Sequence, residues 1–490
     1  MSSVATESAD KSKIRLGSRY WKLWTSSVIS NLGDGVAMVA YLWLASAVTR
    51  DPVLIALVAV VQRLPWLLFT LPAGVITDRV DRRKIMVWMQ SFRMVLTLGV
   101  AFVVLSFNDS LPAPDEFVGG TELTTNWVVY ATLVVSALFF GMAEVLYDNS
   151  AQTILPAMVE PDGLEKANGN LWGAEMVANS FVGPPLGSVL VAMAFALPFF
   201  FDAGTFALAT VLLLMIAGNY GVERDAAELE QKVDWLGEIK EGFLWLWRHP
   251  LLRPMAIILG LLNMLGMVGF ATFVLFAQEV LATTPFVFAI LLAAGAVGGI
   301  IGSLTAPRIS KSIGSGASLH VTMITGGVTA LIIGLSSLWP VVWVMFAIGM
   351  ATGVLWNVIT VSLRQTIIPD ALLGRVNSVY RFFAWGMMPI GLLLGGLIVT
   401  LTESAGGSRE LALRMPWFAV AVGYALLYIY AAPRLTTEKI ETARAEGITA
   451  KEDSEQRSVE SKAADDGRLS LDGEAIAESG VPGAIPRDEG

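Results

Sequence analysis

The chain has 490 residues, 54% of them hydrophobic and 15% charged. A soluble domain averages roughly 25% charged residues, so the composition excludes a soluble protein and indicates a polytopic membrane one. The absence of cysteine excludes disulfides, thiol nucleophiles and iron–sulfur clusters, and the net charge of −9 says little about partners because much of the acid lies in one tail.

Residues 1–19 are polar, carry Lys11, Lys13, Arg15 and Arg19, and are expected in the cytoplasm. The first apolar run is long and lacks a small-residue cleavage site, so it reads as a retained span rather than a signal peptide. Apolar runs of about 20 residues or more follow at 22–49, 53–77, 84–107, 127–150, 168–193 and 195–217. Pro198 and Asp202 mark the split inside 168–217. Six further runs lie at 252–280, 285–307, 316–338, 341–363, 376–402 and 412–432. We number these twelve runs as spans 1 to 12. The expected fold is an all-α integral membrane protein with two parallel six-helix pseudo-repeats, 20–217 and 251–433. Segment 218–250 joins them. Its stretch 236–248 places Leu236, Ile239, Phe243 and Trp247 on one face, as in a helix lying along the membrane surface. The acidic tail 434–490 is poor in aromatics and is expected to be disordered.

Twelve spans return both termini to one side. Loop 78–84, segment 218–253, Arg308, Lys311, Arg364 and Arg375 then fall inside, whereas loop 108–126 carries acids and no Lys or Arg. The positive-inside rule makes the basic side cytoplasmic.

The halves echo each other. Gln152-Thr-Ile-Leu-Pro156 recurs as Gln365-Thr-Ile-Ile-Pro369, Asn168 as Asn377, and Pro185-Leu-Gly187 as Pro389-Ile-Gly391. Gly74 matches Gly302, and Asn31 matches Asn263. Matches in the same order along each half indicate a duplicated six-span unit, the architecture of transporters that bind substrate between two bundles.

The loop between spans 2 and 3 reads Gly74-x3-Asp78-Arg79-x2-Arg82-Arg83. It resembles the corresponding loop of the major facilitator superfamily, with Asp81 where that signature has Gly. The DRxDRR form, the run GMAEVLYDNSAQTILP ending span 4 and Gly183-Pro184-Pro185-x-Gly187 in span 5 resemble a branch of enterobactin-exporter-like and macrolide-efflux-like proteins. The resemblance covers 15–432. Span 4 lacks the Arg of many drug–proton antiporters, and Ser188 stands where a second Gly is usual. The resemblance implies a cytoplasmic gate at Gly74, Asp78, Arg79, Arg82 and Arg83. The loop aspartate would sit against the start of span 11 near Gly374-Arg375, with Arg82 or Arg83 bridging to Asp148.

A charge inside a span is costly, about 2.5–3.5 kcal/mol on insertion scales, so it is paired or faces water. Asp34, Arg63, Arg93 and Glu144 are such residues. Asp34 and Arg63 lie at matching depths on spans 1 and 2, so they are expected to pair, either permanently or with Asp34 exchanging a proton. Glu144 is a second protonation or cation site, or a partner at the cytoplasmic gate. Arg93, on peripheral span 3, is expected to be structural. In the second half, Gly266 and Asn357 stand where the first has Asp34 and Glu144. Asn31, Asn263 and Asn357 either contact substrate or bond neighbouring helices. Gly183, Pro184, Pro185 and Gly187 are expected to serve helix packing and bending.

There is no G-x4-G-K-[S/T] loop, His249 and His320 lack metal-ligand spacing, and no nucleophile–base constellation is present. No enzyme, cofactor or metal is expected, and the acidic tail argues against nucleic acid. The resemblance implies a monomeric secondary transporter of the inner or plasma membrane. It would export small hydrophobic or amphipathic compounds, of drug or siderophore class, in exchange for protons. Its partners are the small-molecule substrate, protons and the lipid bilayer. The rival readings are an uncoupled facilitator or lipid flippase, and a transport-inactive sensor or assembly protein acting through its tail.

Overall fold

The computed structural model describes residues 16–113, 123–160, 163–220, 235–451 and 453, and their regular structure is helical throughout. Among the described residues, eleven helices are long and apolar enough to cross a membrane. Span 1 is Ser18–Val48, span 3 Arg82–Ser106, span 4 Trp127–Ala157, span 5 Lys166–Met193 and span 6 Leu197–Leu214. In the second half, span 7 is Leu252–Phe270, span 8 Pro285–Ile313, span 9 Ser315–Leu335, span 10 Trp339–Ile367, span 11 Leu372–Ser404 and span 12 Arg409–Ala431. Span 2 completes the set in two pieces, Pro52–Leu68 and Thr70–Arg79. The break at Phe69 has a local cause. Pro72 has no N–H to give to the Leu68 carbonyl, so the helix cannot run through unbroken.

The two halves meet along span 2 against span 11 and span 5 against span 8. The two pairings are equivalent to each other, because span 8 is the repeat counterpart of span 2 and span 11 that of span 5, as a two-fold arrangement of bundles requires. Glycine brings the helices close. A Cβ on Gly396 would stand 2.8 Å from the Pro52 carbonyl, and one on Gly187 would stand 2.5 Å from the Val36 carbonyl of span 1. In span 5 the turn before Gly183 widens to a π-helix, Val177–Val182, because Pro184 and Pro185 lack N–H donors.

Spans 5 and 6 divide at 194–196, with Ala194 extended, and Pro198 sits in the first turn of span 6. Asp202 is therefore not a boundary residue. It lies inside span 6 and is fully buried.

At the end opposite the basic loops, which we term the far end, polar side chains tie the halves together. Gln278 Nε2 donates to Ser46 Oγ at 2.8 Å. Arg50 reaches Glu279 at 3.7 Å, and Arg409 holds the same carboxylate at 2.8 and 3.1 Å while donating to the Arg50 carbonyl.

Two peripheral segments pack against the second half. Helix Trp235–Arg248, expected to lie along the membrane surface, also packs on span 11. Glu241 pairs with Arg375 at 2.6 Å, and Phe243 stacks on Phe383 with ring centroids 6.5 Å apart. The Leu236 side chain lies outside the described residues. In the tail, residues 437–451 are helical rather than disordered. Leu435 and Ile440 are fully buried, Ser315 donates to Glu441 at 2.9 Å, and the absent side chain of Gly316 lets the tail backbone approach span 9. Burial of these apolar residues outweighs the polar composition around them. The rest of the tail and residues 1–15 lie outside the described residues.

His249 caps span 7. Its Nδ1 accepts from the backbone N–H groups of Leu251 and Leu252 at 3.2 and 3.1 Å, and burial pushes its pKa below the ordinary value. A depressed histidine pKa stabilises the fold above the unfolded value, near 6.5, and that stability is lost as pH falls through the folded value. Protection of the Leu251 and Leu252 amides from hydrogen exchange, corrected for intrinsic rates, is therefore expected to drop between about pH 7 and 5. His249→Asn keeps an acceptor without titrating, so equal pH dependence in the two proteins would refute the cap as its source.

Candidate functional site

The N-terminal bundle contains a buried charged cluster that begins with two glycines. A Cβ on Gly33 would stand 2.1 Å from Thr205 Oγ1 and 2.3 Å from Asp202 Oδ1 of span 6, and one on Gly35 would stand 2.4 Å from the Asn179 carbonyl of span 5. Span 1 can approach both helices only because neither position carries a side chain. Asp34, between them, forms an ion pair with Arg93 of span 3. Arg93 is 2% exposed and Asp34 23% exposed, so the carboxylate is the reachable member. The guanidinium lies 4.3 Å from the ring centroids of both Phe140 and Phe206, which hold its planar faces.

Further acids face the same cation. Asp202 is fully buried, bonded to Thr205 at 3.4 Å through Oδ1, and its Oδ2 has no partner among the described residues. Glu144 and Asp148, one turn apart on span 4, lie within electrostatic reach of Asp34 and Arg93. Glu175 of span 5 accepts from Ser27 of span 1, and Gln90 of span 3 donates to Ser30 at 2.9 Å. One buried guanidinium thus stands among several carboxyl groups. In a low-dielectric interior such a set cannot be fully ionised at little cost, so it can hold a proton or a cation.

The pairing of Asp34 with Arg63 is corrected. Arg63 is exposed on span 2, and Asp34 pairs with Arg93 instead. Matching depth gives the height of a residue along the bundle but not the direction in which it points. The bridge from Arg82 or Arg83 to Asp148 is expected when the basic side is closed, and in this conformation no such ion pair is present among the described residues. Arg83 turns sideways and donates to the Leu213 and Leu214 carbonyls at 3.0 and 2.7 Å, satisfying the last acceptors of span 6. Arg82 is half-buried and Arg79 exposed. Asp81 caps span 3 through the N–H groups of Arg83 and Lys84. Gly74 lies in the second helical piece of span 2, and the Asp78 side chain lies outside the described residues.

Asn31 and Asn357 donate to carbonyls of their own helices, those of Ser27 at 3.0 Å and Gly353 at 3.3 Å. Asn263 donates across to the Ala384 carbonyl of span 11 at 2.7 Å. Asn263 and Asn357 also line a cavity of about 300 Å³ inside the C-terminal bundle. Gly183 abuts span 1, where its Cβ would stand 2.7 Å from Gly35 Cα.

Residues 17–458 match the family model described as transmembrane secretion effector. The chain belongs to that family, within the major facilitator superfamily. It is 26% identical over 406 residues to the multidrug efflux pump Tap of Mycolicibacterium fortuitum, covering 81% of this chain and 92% of that protein. It is 26% identical over 344 residues to the enterobactin exporter EntS of Escherichia coli O1:K1, covering 69% and 75%. The crystal structure of a bacterial homologue of the iron transporter ferroportin in its inward-facing state shares the fold, with a TM-score of 0.62 at 17% identity over 85% of this chain and 99% of that one. The chain is thus a multi-pass membrane transporter of small molecules, not an enzyme.

Sequence reasoning places neither Arg93 nor Asp202 in the cluster, because span 3 is peripheral and Asp202 reads as a boundary. A signal exists for both, since each is a charge within an apolar run. Their convergence on Asp34 depends on how the helices are rotated.

Proposed function

We propose that the chain is a proton-coupled exporter of small hydrophobic or amphipathic compounds working by alternating access. The observation that carries this reading is the Asp34–Arg93 pair, partly open to solvent on the Asp34 side and surrounded by Glu144 and the buried Asp202. Proton uptake by Asp34 weakens its hold on Arg93, which turns to a neighbouring carboxylate. Proton release restores the pair. Rocking of the bundles exposes Asp34 to each side in turn. The far-end ties suit a conformation closed on the outer side. Exposed Gln152, Thr153, Asn357 and Gln365 on spans 4 and 10 suit one open on the basic side. Both termini face the cytoplasm, the protein is a monomer in the bacterial inner membrane, and its substrates are of drug or siderophore class, as the names of the two relatives suggest.

The test uses inverted vesicles energised acid inside, challenged with hydrophobic dyes, macrolides and catecholate siderophores. A substrate is expected to dissipate the pH gradient in the parent, and Asp34→Asn is expected to reduce that dissipation at least about tenfold. Equal dissipation in both would move coupling away from Asp34. Uptake without any gradient would favour the uncoupled facilitator.

A further inference from the structure

Asp202 is the carboxyl of the N-terminal cluster that water cannot compensate. Arg93 and Asp202, at 2% and 0%, are the least exposed charged residues described, whereas Glu144 and Asp148 are half-buried. A carboxylate sealed from water keeps its charge only beside a cation, and otherwise binds a proton. Span 1 presents Asp34 and Tyr41 to Asp202, span 3 presents Arg93, and its own helix presents Thr205. Arg93 is the cation of this set, and it is committed to Asp34 through Nη2.

Two atoms stand ready for a different pairing. Arg93 Nε and Asp202 Oδ2 have no hydrogen-bond partner among the described residues. The first is a donor and the second an acceptor, and buried groups of both kinds are ordinarily paired. Phe140 and Phe206 hold the faces of the guanidinium, 4.3 Å from each ring centroid, and leave its edge able to turn in its own plane. Asp202 Oδ1 would stand 2.3 Å from a Cβ on Gly33, the residue before Asp34, so the two carboxyl groups flank the same level of span 1.

We propose that Asp34 and Asp202 are alternative counter-ions of Arg93, and that the carboxyl without Arg93 takes the proton. This rests on the transport reading above and names the second proton position of that site. In the conformation described, Asp34 is ionised on Arg93 and Asp202 is a neutral acid. In the alternate arrangement the O–H bond at Asp202 breaks and one forms at Asp34. Arg93, still protonated, turns its Nε–H to Asp202 Oδ2, and the net charge of the cluster is unchanged. Release at Asp34 leaves the two carboxylates sharing Arg93, the state that takes up the next proton. The two positions differ in access. Asp34 is 23% exposed, so a proton there exchanges with the open side. A proton on Asp202 is sealed and cannot leak while the bundles rock.

The test needs neither gradient nor substrate. Infrared spectra of the full chain in lipid nanodiscs are recorded at mildly alkaline pH, where a protonated carboxyl gives a C=O band distinct from that of a carboxylate. Asp202→Asn is expected to remove one such band from the parent spectrum. Asp34→Asn is expected to remove the same band, because Arg93 then turns to Asp202 and ionises it. Melting temperatures give a second readout. Each single variant leaves Arg93 one of its two counter-ions, whereas the double variant leaves neither. The double variant is expected to melt at least about 5 °C lower than the two single shifts add up to. If it does not fold, adding Arg93→Met should restore folding by removing the stranded cation. Persistence of the band in Asp34→Asn, or additive melting shifts, overturns the exchange, because Asp202 is then a permanently neutral packing group. So does a parent spectrum that Asp202→Asn leaves unchanged. Loss of the band in Asp34→Asn, with no compound dissipating the gradient in the vesicle assay, would leave the paired positions standing and remove proton coupling instead.

Discussion

Replacing Arg93 with methionine is expected to destabilise the N-terminal bundle by about 3–5 kcal/mol, the range for removing one partner of a buried ion pair. Arg93 is 2% exposed, and its loss leaves Asp34, Asp202 and Glu144 facing one another without a cation. The two rings that sandwich the guanidinium, Phe140 and Phe206, lose their filling as well. The melting temperature in detergent is expected to fall by roughly 10 °C. Adding Asp34→Asn should recover much of the loss, since it removes one of the uncompensated acids. Arg63→Met is the control. Its side chain is exposed, so its effect should stay within about 0.5 kcal/mol. Equal destabilisation by Arg93→Met and Arg63→Met would overturn the assignment of Arg93 as the partner of Asp34.

Glu279→Gln is expected to shift the protein towards a conformation open at the far end. Glu279 is 7% exposed and accepts from Arg409 while lying 3.7 Å from Arg50 of the other half. Arg409 also donates to Glu403 at 2.7 Å and to the Arg50 carbonyl at 3.1 Å. Neutralising the shared carboxylate leaves two half-buried guanidinium groups close together with their common anion gone. Disrupting such a pair costs about 2–5 kcal/mol, and about 2 kcal/mol alone changes a two-state ratio roughly thirtyfold. The chain has no cysteine, so spin labels can be placed on Asn108→Cys and Ala405→Cys, both exposed near the far end, without removing native thiols. The variant should populate a longer inter-label distance that the parent populates weakly. An unchanged distance distribution would show that the network does not hold the halves together.

The contrast between the two networks shows what a linear reading can reach. Arg50 and Arg409 are legible as the rare basic residues on the far side, because sidedness follows from counting spans. Their sharing of Glu279 is not legible, because it needs the segment after span 7 to meet the start of span 12 and loop 49–51. Likewise Gly33-Asp34-Gly35 signals a close approach, but not which helix approaches. Asp34 has an exposed arginine on span 2 and a buried one on span 3, and hydropathy treats the two alike. The tail shows the opposite limit. Its composition speaks for disorder, yet Leu435 and Ile440 find an apolar site between helix ends and order residues up to 451.

Everything governed by transfer between water and hydrocarbon is legible along the chain. Span number, the basic and acidic ends, the duplicated halves and the absence of thiol chemistry all follow from residue type and order along the chain. The tertiary structure decided partnership. A helix fixes the height of each side chain along its axis, while its rotation and neighbours are set by packing at Gly33, Gly35, Gly183 and Gly187. That packing turned Asp34 towards Arg93, drew Asp202 into the same cluster, and left Gly266 and Gly353 facing open space in the other bundle.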